Sequence, residues 1–173
     1  MAIKIIVNDI TTLSVDAIVN AANNSLLGGE GVDGAIHKAA GNELLEECRK
    51  LQGCSTGAAK ITNAYNLPCR KVIHTVGPIW ENNSEEQAAL LESCYINSFT
   101  LACENGLKTI AFPAISTGVY GYPKSEASFI ALGVAKNYEE DTREIVFCCF
   151  SDEDAENLLS VGQAVDYVTK RMN

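Results

Sequence analysis

The residues whose types could do chemistry gather in three segments, and each segment directly follows an apolar run. The first segment extends from Asn20 to Gly34, where Gly28, Gly29 and Gly31 allow the backbone to approach a ligand closely. A helix beginning at the end of this segment would offer its free backbone amides to an anion. The segment lacks the GKS/T pattern of Walker loops. The glycines alone are equally compatible with a flexible connection between a strand and a helix.

The second segment extends from Phe112 to Pro123 and offers hydroxyl groups and backbone amides through Ser116, Thr117 and Gly118. Two glycine-bearing loops on one sheet would form two walls of a diphosphate cradle. Because residues 23–34 and 114–122 contain no Lys or Arg, a phosphate held there must rely on backbone amides and helix dipoles. Such a cradle suits a diphosphate diester better than a triphosphate with a metal ion.

The third segment, Asn8 to Thr11, carries a carboxylate at the end of the first apolar run. Asp9 could accept a hydrogen bond from the exocyclic amine of adenine. Taken alone, Asp9 is more typical of a turn or a helix cap.

Short apolar runs alternate with helical patterns along the chain and predict the elements that must position these loops. We expect strands at Lys4–Val7, Ala17–Asn20, Ala59–Ile61, Lys71–Thr75, Thr109–Phe112 and Glu144–Cys149. We expect helices at Gly34–Ala40, Glu43–Leu51, Glu85–Glu104, Ser125–Asn137 and Ala155–Lys170. Ser151 or Asp152 would cap the last helix. This order predicts one α/β domain over residues 1–173, a three-layer α/β/α sandwich with a mixed, mainly parallel central sheet. Ligands of such sheets bind outside the carboxyl ends of the strands.

Composition excludes several classes of function. The net charge of −9 disfavours a nucleic acid polymer as a partner, although backbone amides can still bind a small anion. Seven cysteines form no CxxC pair, and with two histidines they predict neither a disulfide framework nor a zinc site, so we expect most of them in the core. No apolar run approaches the ~18 residues of a membrane span. We expect a soluble, monomeric, cytoplasmic protein.

Together these segments resemble the macrodomain family, specifically its MacroD-type branch. The resemblance covers nearly the whole chain, and six landmarks occur in the family's order and spacing. These are Asp9-Ile10-Thr11, the stretch from Val15 to Asn23, the stretch from Gly31 to His37, Ala39-Ala40-Gly41, the stretch from Val72 to Pro78, and the stretch from Phe112 to Pro123.

The resemblance implies a cleft for ADP-ribose above the sheet. Asp9 would bind the adenine amine with support from the backbone of Ile10, and Phe150 would stack on adenine. The alternative for Phe150 is an ordinary core aromatic residue, and both interpretations stay open. The remaining expected ligand contacts come from the first two segments, namely Asn23, Gly31, Val32, Asp33, Ser116, Thr117, Gly118, Val119 and Tyr120.

The resemblance also places Asn23 and Asp33 beside the distal ribose. An amide can orient ribose hydroxyls or a water molecule, and a carboxylate can position or deprotonate that water. Asp33 could instead only cap the helix that starts at Gly34. His37 lies one helical turn after Asp33 and would either tune the carboxylate or pack as a helix residue. His74, in a predicted strand, is expected to be structural.

The implied function is removal of mono-ADP-ribose from acidic side chains of modified proteins, deacetylation of O-acetyl-ADP-ribose, or both. Asn23, Asp33 and His37 would be the catalytic residues, and neither a metal nor a cofactor is expected. Either Asp33 or the phosphate of the substrate would activate water. The alternative is a non-catalytic module that binds ADP-ribosylated partners. Glu30 replaces the small residue usual in the family, and we expect its carboxylate to point to solvent or towards the acyl group.

Overall fold

A six-stranded mixed sheet forms the middle layer of the computed structural model, which describes residues 2–82 and 84–165. The strands are β1 (Ile3–Val7), β2 (Ala17–Ala21), β3 (Ala59–Asn63), β4 (Lys71–Thr75), β5 (Thr109–Phe112) and β6 (Glu144–Cys149). Their order in the sheet is β1-β6-β5-β2-β4-β3. Every neighbouring pair is parallel except β3 and β4, which pair antiparallel at one edge. The predicted mixed, mainly parallel sheet is confirmed.

Helices cover both faces of this sheet, as predicted for a three-layer sandwich. They are α1 (Gly31–Ala40), α2 (Asn42–Leu51), α3 (Ser84–Glu104), α4 (Lys124–Asn137) and α5 (Asp152–Ala164). The Ser151 side chain caps α5 by accepting a hydrogen bond from the Asp154 amide. The last part of the predicted helix Ala155–Lys170, from residue 166 onward, lies outside the described residues. None of the described helices has the length and hydrophobicity needed to cross a membrane.

Two hydrophobic layers, one on each face, hold the sandwich together. One layer joins the sheet to α1 and α2, and the other joins it to α3, α4 and α5. Strand side chains alternate between the two faces. Ile18 and Val72 face α1 and α2, so Asn20 and His74, two residues further along their strands, lie on that same face. All cysteines except Cys103 are buried, which confirms that most of them are core residues.

Helix α1 begins three residues earlier than the sequence predicts, and the prediction of a start at Gly34 is wrong. Gly31 opens the helix with a positive φ of 61°, a conformation that glycine adopts without strain. Gly34 lies inside the first turn, where a Cβ atom would come within 2.4 Å of the Gly29 carbonyl oxygen. The glycines at these positions therefore allow a tight helix start and do not indicate a loop. The predicted contact residues Gly31 and Val32 thus belong to the first turn of α1.

Asp16 ties the starts of two neighbouring strands together. Its Oδ2 accepts hydrogen bonds from the backbone amides of Lys108, at 2.7 Å, and Thr109, at 3.2 Å. Burial raises the pKa of this carboxyl, but the two amides, Arg70 and Arg143 together outweigh burial. The pKa of Asp16 therefore lies below its usual value.

We predict that Asp16→Ala lowers the free energy of unfolding by about 1–3 kcal/mol at neutral pH, because the backbone amides of Lys108 and Thr109 lose their charged acceptor. The folded-state pKa is lower than the unfolded one, so this contribution is complete above the unfolded pKa and is lost as pH falls through the folded pKa. Urea denaturation curves of the two proteins should therefore converge in acid. Asp141→Ala, at an exposed position, is the control and should cost less than ~0.5 kcal/mol. A deficit independent of pH would contradict this role of the carboxylate.

Candidate functional site

Asp33 lies in the first turn of α1, almost completely buried, with its side chain directed at the end of β2. Its Oδ1 accepts a hydrogen bond of 2.9 Å from Asn20 Nδ2. His37, on the next turn of the same helix, places Nε2 at 3.5 Å from this oxygen. Glu30 occupies the N-cap position, so the interpretation of Asp33 as the helix cap is wrong. The expected shared face of Asp33 and His37 is confirmed.

The second carboxylate oxygen of Asp33 faces the glycine loop, on the side where the Asn23 amide also lies. A Cβ atom at Gly29 would lie 3.0 Å from Asp33 Oδ2 and 3.3 Å from Asn23 Nδ2. Both polar atoms therefore border the same residue, which has no side chain to cover them. This gap is where a water molecule or a ribose hydroxyl could contact the amide and the carboxylate together.

The amide of Asn23 is held in one orientation by its own loop. Its Nδ2 donates to the Gly28 carbonyl oxygen at 3.0 Å. Its Oδ1 accepts hydrogen bonds from Ser25 Oγ at 2.7 Å and from the Leu26 amide at 3.2 Å. Because both ends of the amide have partners, the side chain is preorganised before any ligand arrives.

Burial raises the pKa of Asp33 above its usual value, and the hydrogen bond from Asn20 and the charge of His37 offset this only in part. A carboxylate with a raised pKa is a stronger base than one on the protein surface. The site therefore suits proton abstraction from water at neutral pH.

The loop between β5 and α4 is pinned at both of its ends. Ser116 is buried in the left-handed region with φ 68°, and its carbonyl oxygen accepts from the Tyr122 amide at 2.9 Å. The Tyr120 carbonyl oxygen accepts from the Trp80 amide at 2.8 Å. Between these anchors, Thr117 is half-buried, and Gly118 and Val119 are exposed. The arrangement exposes the part of the loop predicted to wrap a diphosphate.

Asp9 and Phe150 lie two residues and one residue beyond the paired ends of β1 and β6, where Val7 lies opposite Cys149. Asp9 Oδ1 accepts hydrogen bonds from the Thr11 amide at 3.0 Å and from Thr11 Oγ1 at 2.7 Å. Asp9 thus caps the short 3-10 helix Ile10–Thr12 and confirms the prediction of a cap residue. Phe150 is 96% exposed, so its interpretation as a core aromatic residue is wrong.

The parallel strands bring all of these segments to one edge of the sheet. Asp9 and Phe150 lie beyond β1 and β6, the Ser116 loop lies beyond β5, and the Asn23 loop lies beyond β2. This is the carboxyl edge where ligands of such sheets bind. In the described part of the chain, no group of three or more His, Cys, Asp or Glu side chains could hold a metal ion.

Two residues of the site escaped the sequence analysis. Asn20, which donates a hydrogen bond to Asp33, is fully buried in an otherwise apolar strand. An amide side chain within an apolar strand must find a buried hydrogen-bond partner, and this was the signal that the sequence offered. Gly77, after β4, faces the loop between β5 and α4, where a Cβ atom would come within 2.1 Å of Ser116 Oγ. Only the contact between Gly77 and Ser116 in the folded protein shows that position 77 requires glycine.

Comparison with known proteins adds a family match. The model of the Macro domain family matches residues 19–131. A macro domain-containing protein of Chlorobaculum tepidum is 60% identical over 149 residues, covering 84% of this chain and 87% of the relative. An ADP-ribose glycohydrolase of Rattus norvegicus is 54% identical, covering 84% of this chain and 58% of the relative. An O-acetyl-ADP-ribose deacetylase of Escherichia fergusonii is 52% identical, covering 88% of this chain and 90% of the relative.

Solved structures agree with the fold described above. A mutant of the Oceanobacillus iheyensis macrodomain with ADPR superposes with a TM-score of 0.89 at 43% identity, covering 95% of this chain and 93% of that one. The Trypanosoma brucei macrodomain in complex with ADP-ribose gives a TM-score of 0.86 at 43% identity, covering 92% of this chain and 68% of that one.

We predict that Gly77→Ala lowers the free energy of unfolding by about 1–3 kcal/mol, because the added methyl group overlaps Ser116 Oγ and comes within 2.7 Å of Ile115 Cγ2. Gly118→Ala is the matched control, since a Cβ atom there has no neighbour within 4 Å. Thermal unfolding of both variants measures the difference. Equal melting temperatures would show that the contact between Gly77 and the loop does not constrain the protein.

Proposed function

The chain belongs to the Macro domain family, and we propose that it binds ADP-ribose and hydrolyses an ester at the distal ribose. The substrates would be proteins carrying mono-ADP-ribose on acidic side chains, O-acetyl-ADP-ribose, or both. Relatives named as an ADP-ribose glycohydrolase and an O-acetyl-ADP-ribose deacetylase support this class of reaction. The observation that carries the proposal is the approach of Asp33 Oδ2 and Asn23 Nδ2 to the same open position at Gly29.

In the proposed reaction, Asn23 orients a ribose hydroxyl or the attacking water, and Asp33 accepts a proton from that water. The water oxygen bonds to the acyl carbon, and the bond between this carbon and the ribose oxygen breaks. The ribose oxygen then takes this proton from Asp33, which leaves ADP-ribose, a free carboxylic acid and the ionised Asp33. His37 supports the ionised form of Asp33 from 3.5 Å away.

The rest of the ligand would extend along the carboxyl edge of the sheet. Backbone amides of the loop from Ser116 to Tyr120 would bind the diphosphate, because neither loop of the cleft carries Lys or Arg. The exposed ring of Phe150 would stack on adenine. The Asp9 carboxylate would accept a hydrogen bond from the exocyclic amine of adenine. The exposed Glu30 is placed at the start of α1, so its charge would lie outside the cradle on the acyl side.

We predict that Asp33→Asn lowers kcat by about 100-fold or more, because the amide cannot accept a proton from water. Asp9→Ala is the contrasting variant and should raise KM about tenfold with kcat unchanged, since it removes one hydrogen bond to a charged group far from the reaction. The assay is release of ADP-ribose from a peptide modified on glutamate, followed by mass spectrometry. Full turnover in Asp33→Asn would remove Asp33 from the reaction. Tight binding of ADP-ribose without turnover in the wild type would favour a binding module.

We further propose that hydrolysis requires no metal ion, because the reacting groups are a carboxylate, an amide and an imidazole on adjacent elements. Dialysis of the enzyme against EDTA should leave kcat within about twofold. Added Mg²⁺ or Zn²⁺ should not raise it. Loss of activity on chelation that is restored by one of these ions would contradict this part of the proposal.

A further inference from the structure

The side chain of Gln87, in the first turn of α3, holds the backbone of the segment that follows β4. Its Nε2 donates to the Ile79 carbonyl oxygen at 3.0 Å, and its Oε1 accepts from the Glu81 amide at 2.9 Å. Gln87 is only 8% exposed, so water competes little for these two hydrogen bonds. Both ends of one side-chain amide are thus used on a single short segment.

Trp80, between these two points of attachment, contacts a different part of the protein. Its backbone amide donates to the Tyr120 carbonyl oxygen at 2.8 Å, in the loop between β5 and α4. Its ring packs edge-on against the ring of Tyr122, with 4.9 Å between the ring centroids. The segment therefore lies between α3 on one side and the loop on the other.

One peptide unit joins Gln87 to the loop. The Ile79 carbonyl and the Trp80 N–H belong to the same peptide, and the described chain contains no cis peptide bond. In a planar trans peptide the C=O and the N–H point in opposite directions. When Gln87 holds the Ile79 oxygen towards α3, the Trp80 N–H must point away from α3, where Tyr120 accepts it.

The exposed part of the loop depends on this peptide for its position. In the described part of the chain, the bond from Trp80 to Tyr120 is the one backbone hydrogen bond between residues 117–121 and another segment. Gly118 and Val119 are exposed, and residues 114–122 contain no Lys or Arg. Backbone amides can bind a diphosphate without cationic side chains only if they are held in a converging arrangement.

We propose that Gln87 is a positioning residue for the diphosphate: it orients the peptide between Ile79 and Trp80, and this peptide holds the loop at Tyr120. The identity of the ligand rests on the proposed function, whereas the hold on Tyr120 is a property of the protein without ligand. Gln87 has no hydrogen bond to Asp33 or Asn23. Its loss should therefore weaken binding of the ligand and leave the chemical step unchanged.

Gln87→Met tests the effect on binding, because it keeps the size of the side chain and removes its hydrogen bonds. We expect the Kd for ADP-ribose and the Kd for ADP, measured by calorimetry, to rise about five- to tenfold, since both ligands carry the diphosphate. Asp16→Ala is the control. It also removes hydrogen bonds to two backbone groups, but at the starts of the strands, and its Kd should stay within about twofold of wild type. An unchanged Kd in Gln87→Met, or an equal rise in both variants, would overturn the proposal.

Gln87→Glu separates the two ends of the amide. A carboxylate can still accept from the Glu81 amide, but it cannot donate to the Ile79 carbonyl oxygen. Because the proposal depends on the Ile79 oxygen, Gln87→Glu should weaken binding of ADP-ribose about as much as Gln87→Met. If Gln87→Met does not fold, Gln87→Glu decides the question, and a Kd within about twofold of wild type would count against the proposed role.

Amide hydrogen exchange followed by NMR tests the hold on the loop without any ligand. In Gln87→Met the Trp80 amide should exchange at least about ten times faster than in the wild type. The Gly57 amide, which donates to the Val76 carbonyl oxygen at 2.8 Å, is the internal control and should keep its rate. An unchanged rate at Trp80 would contradict the proposal. Equal acceleration of both amides would contradict it too, because it would indicate general destabilisation.

Kinetics give a further readout that general destabilisation would not reproduce. In Gln87→Met, KM should rise with the Kd while kcat stays within about twofold of wild type. A fall in kcat with an unchanged KM would overturn the proposal. If the wild type neither binds nor hydrolyses ADP-ribose compounds, the proposed function fails, and the exchange rates still decide whether Gln87 positions the loop.

Discussion

An ionised carboxylate inside a protein loses several kcal/mol of hydration unless hydrogen bonds or cations replace the water. The hydration that Asp33 loses is replaced only in part. Asn20 donates a hydrogen bond to Oδ1 and His37 lies close to it, while Oδ2 faces Gly29. Support on one oxygen leaves the other available to a ligand. The raised pKa of the carboxyl group is the consequence of this incomplete compensation. The glycine at position 29 follows from it too, because any side chain there would fill the gap between Asp33 and Asn23.

The second constraint is that the cleft must attract an anion in a protein of net charge −9 without cationic side chains in its loops. Backbone amides can do this only when the chain is bent tightly and held rigidly. Ser116 in the left-handed region and the close approach of Gly77 supply the bend and the rigidity. The edge where the parallel strands end collects these loops in one place, so the sheet order itself brings together the segments proposed to bind the adenine, the diphosphate and the ribose.

The sequence predicted the layers and strands because apolar runs and helical spacing report burial directly. The strands β4, β5 and β6 have the predicted bounds, and β3 extends to Asn63. Helix α1 was misplaced because glycines at its start indicate a loop by local propensity, whereas here they permit contact with Gly29. The candidate ligand residues are gathered at one edge, but Asn20 was missed. Its role depends on a side chain of another element, which local patterns do not encode.

The crystal structure of the protein with ADP-ribose tests the central claim most directly. We predict the distal ribose above Gly29, with a hydroxyl within about 3 Å of Asn23 Nδ2 and Asp33 Oδ2. Phe150 should lie against the adenine ring, and Asp33 Oδ1 should keep its contact with Asn20. A ligand bound in the reverse direction, or a distal ribose out of reach of both side chains, would contradict the account.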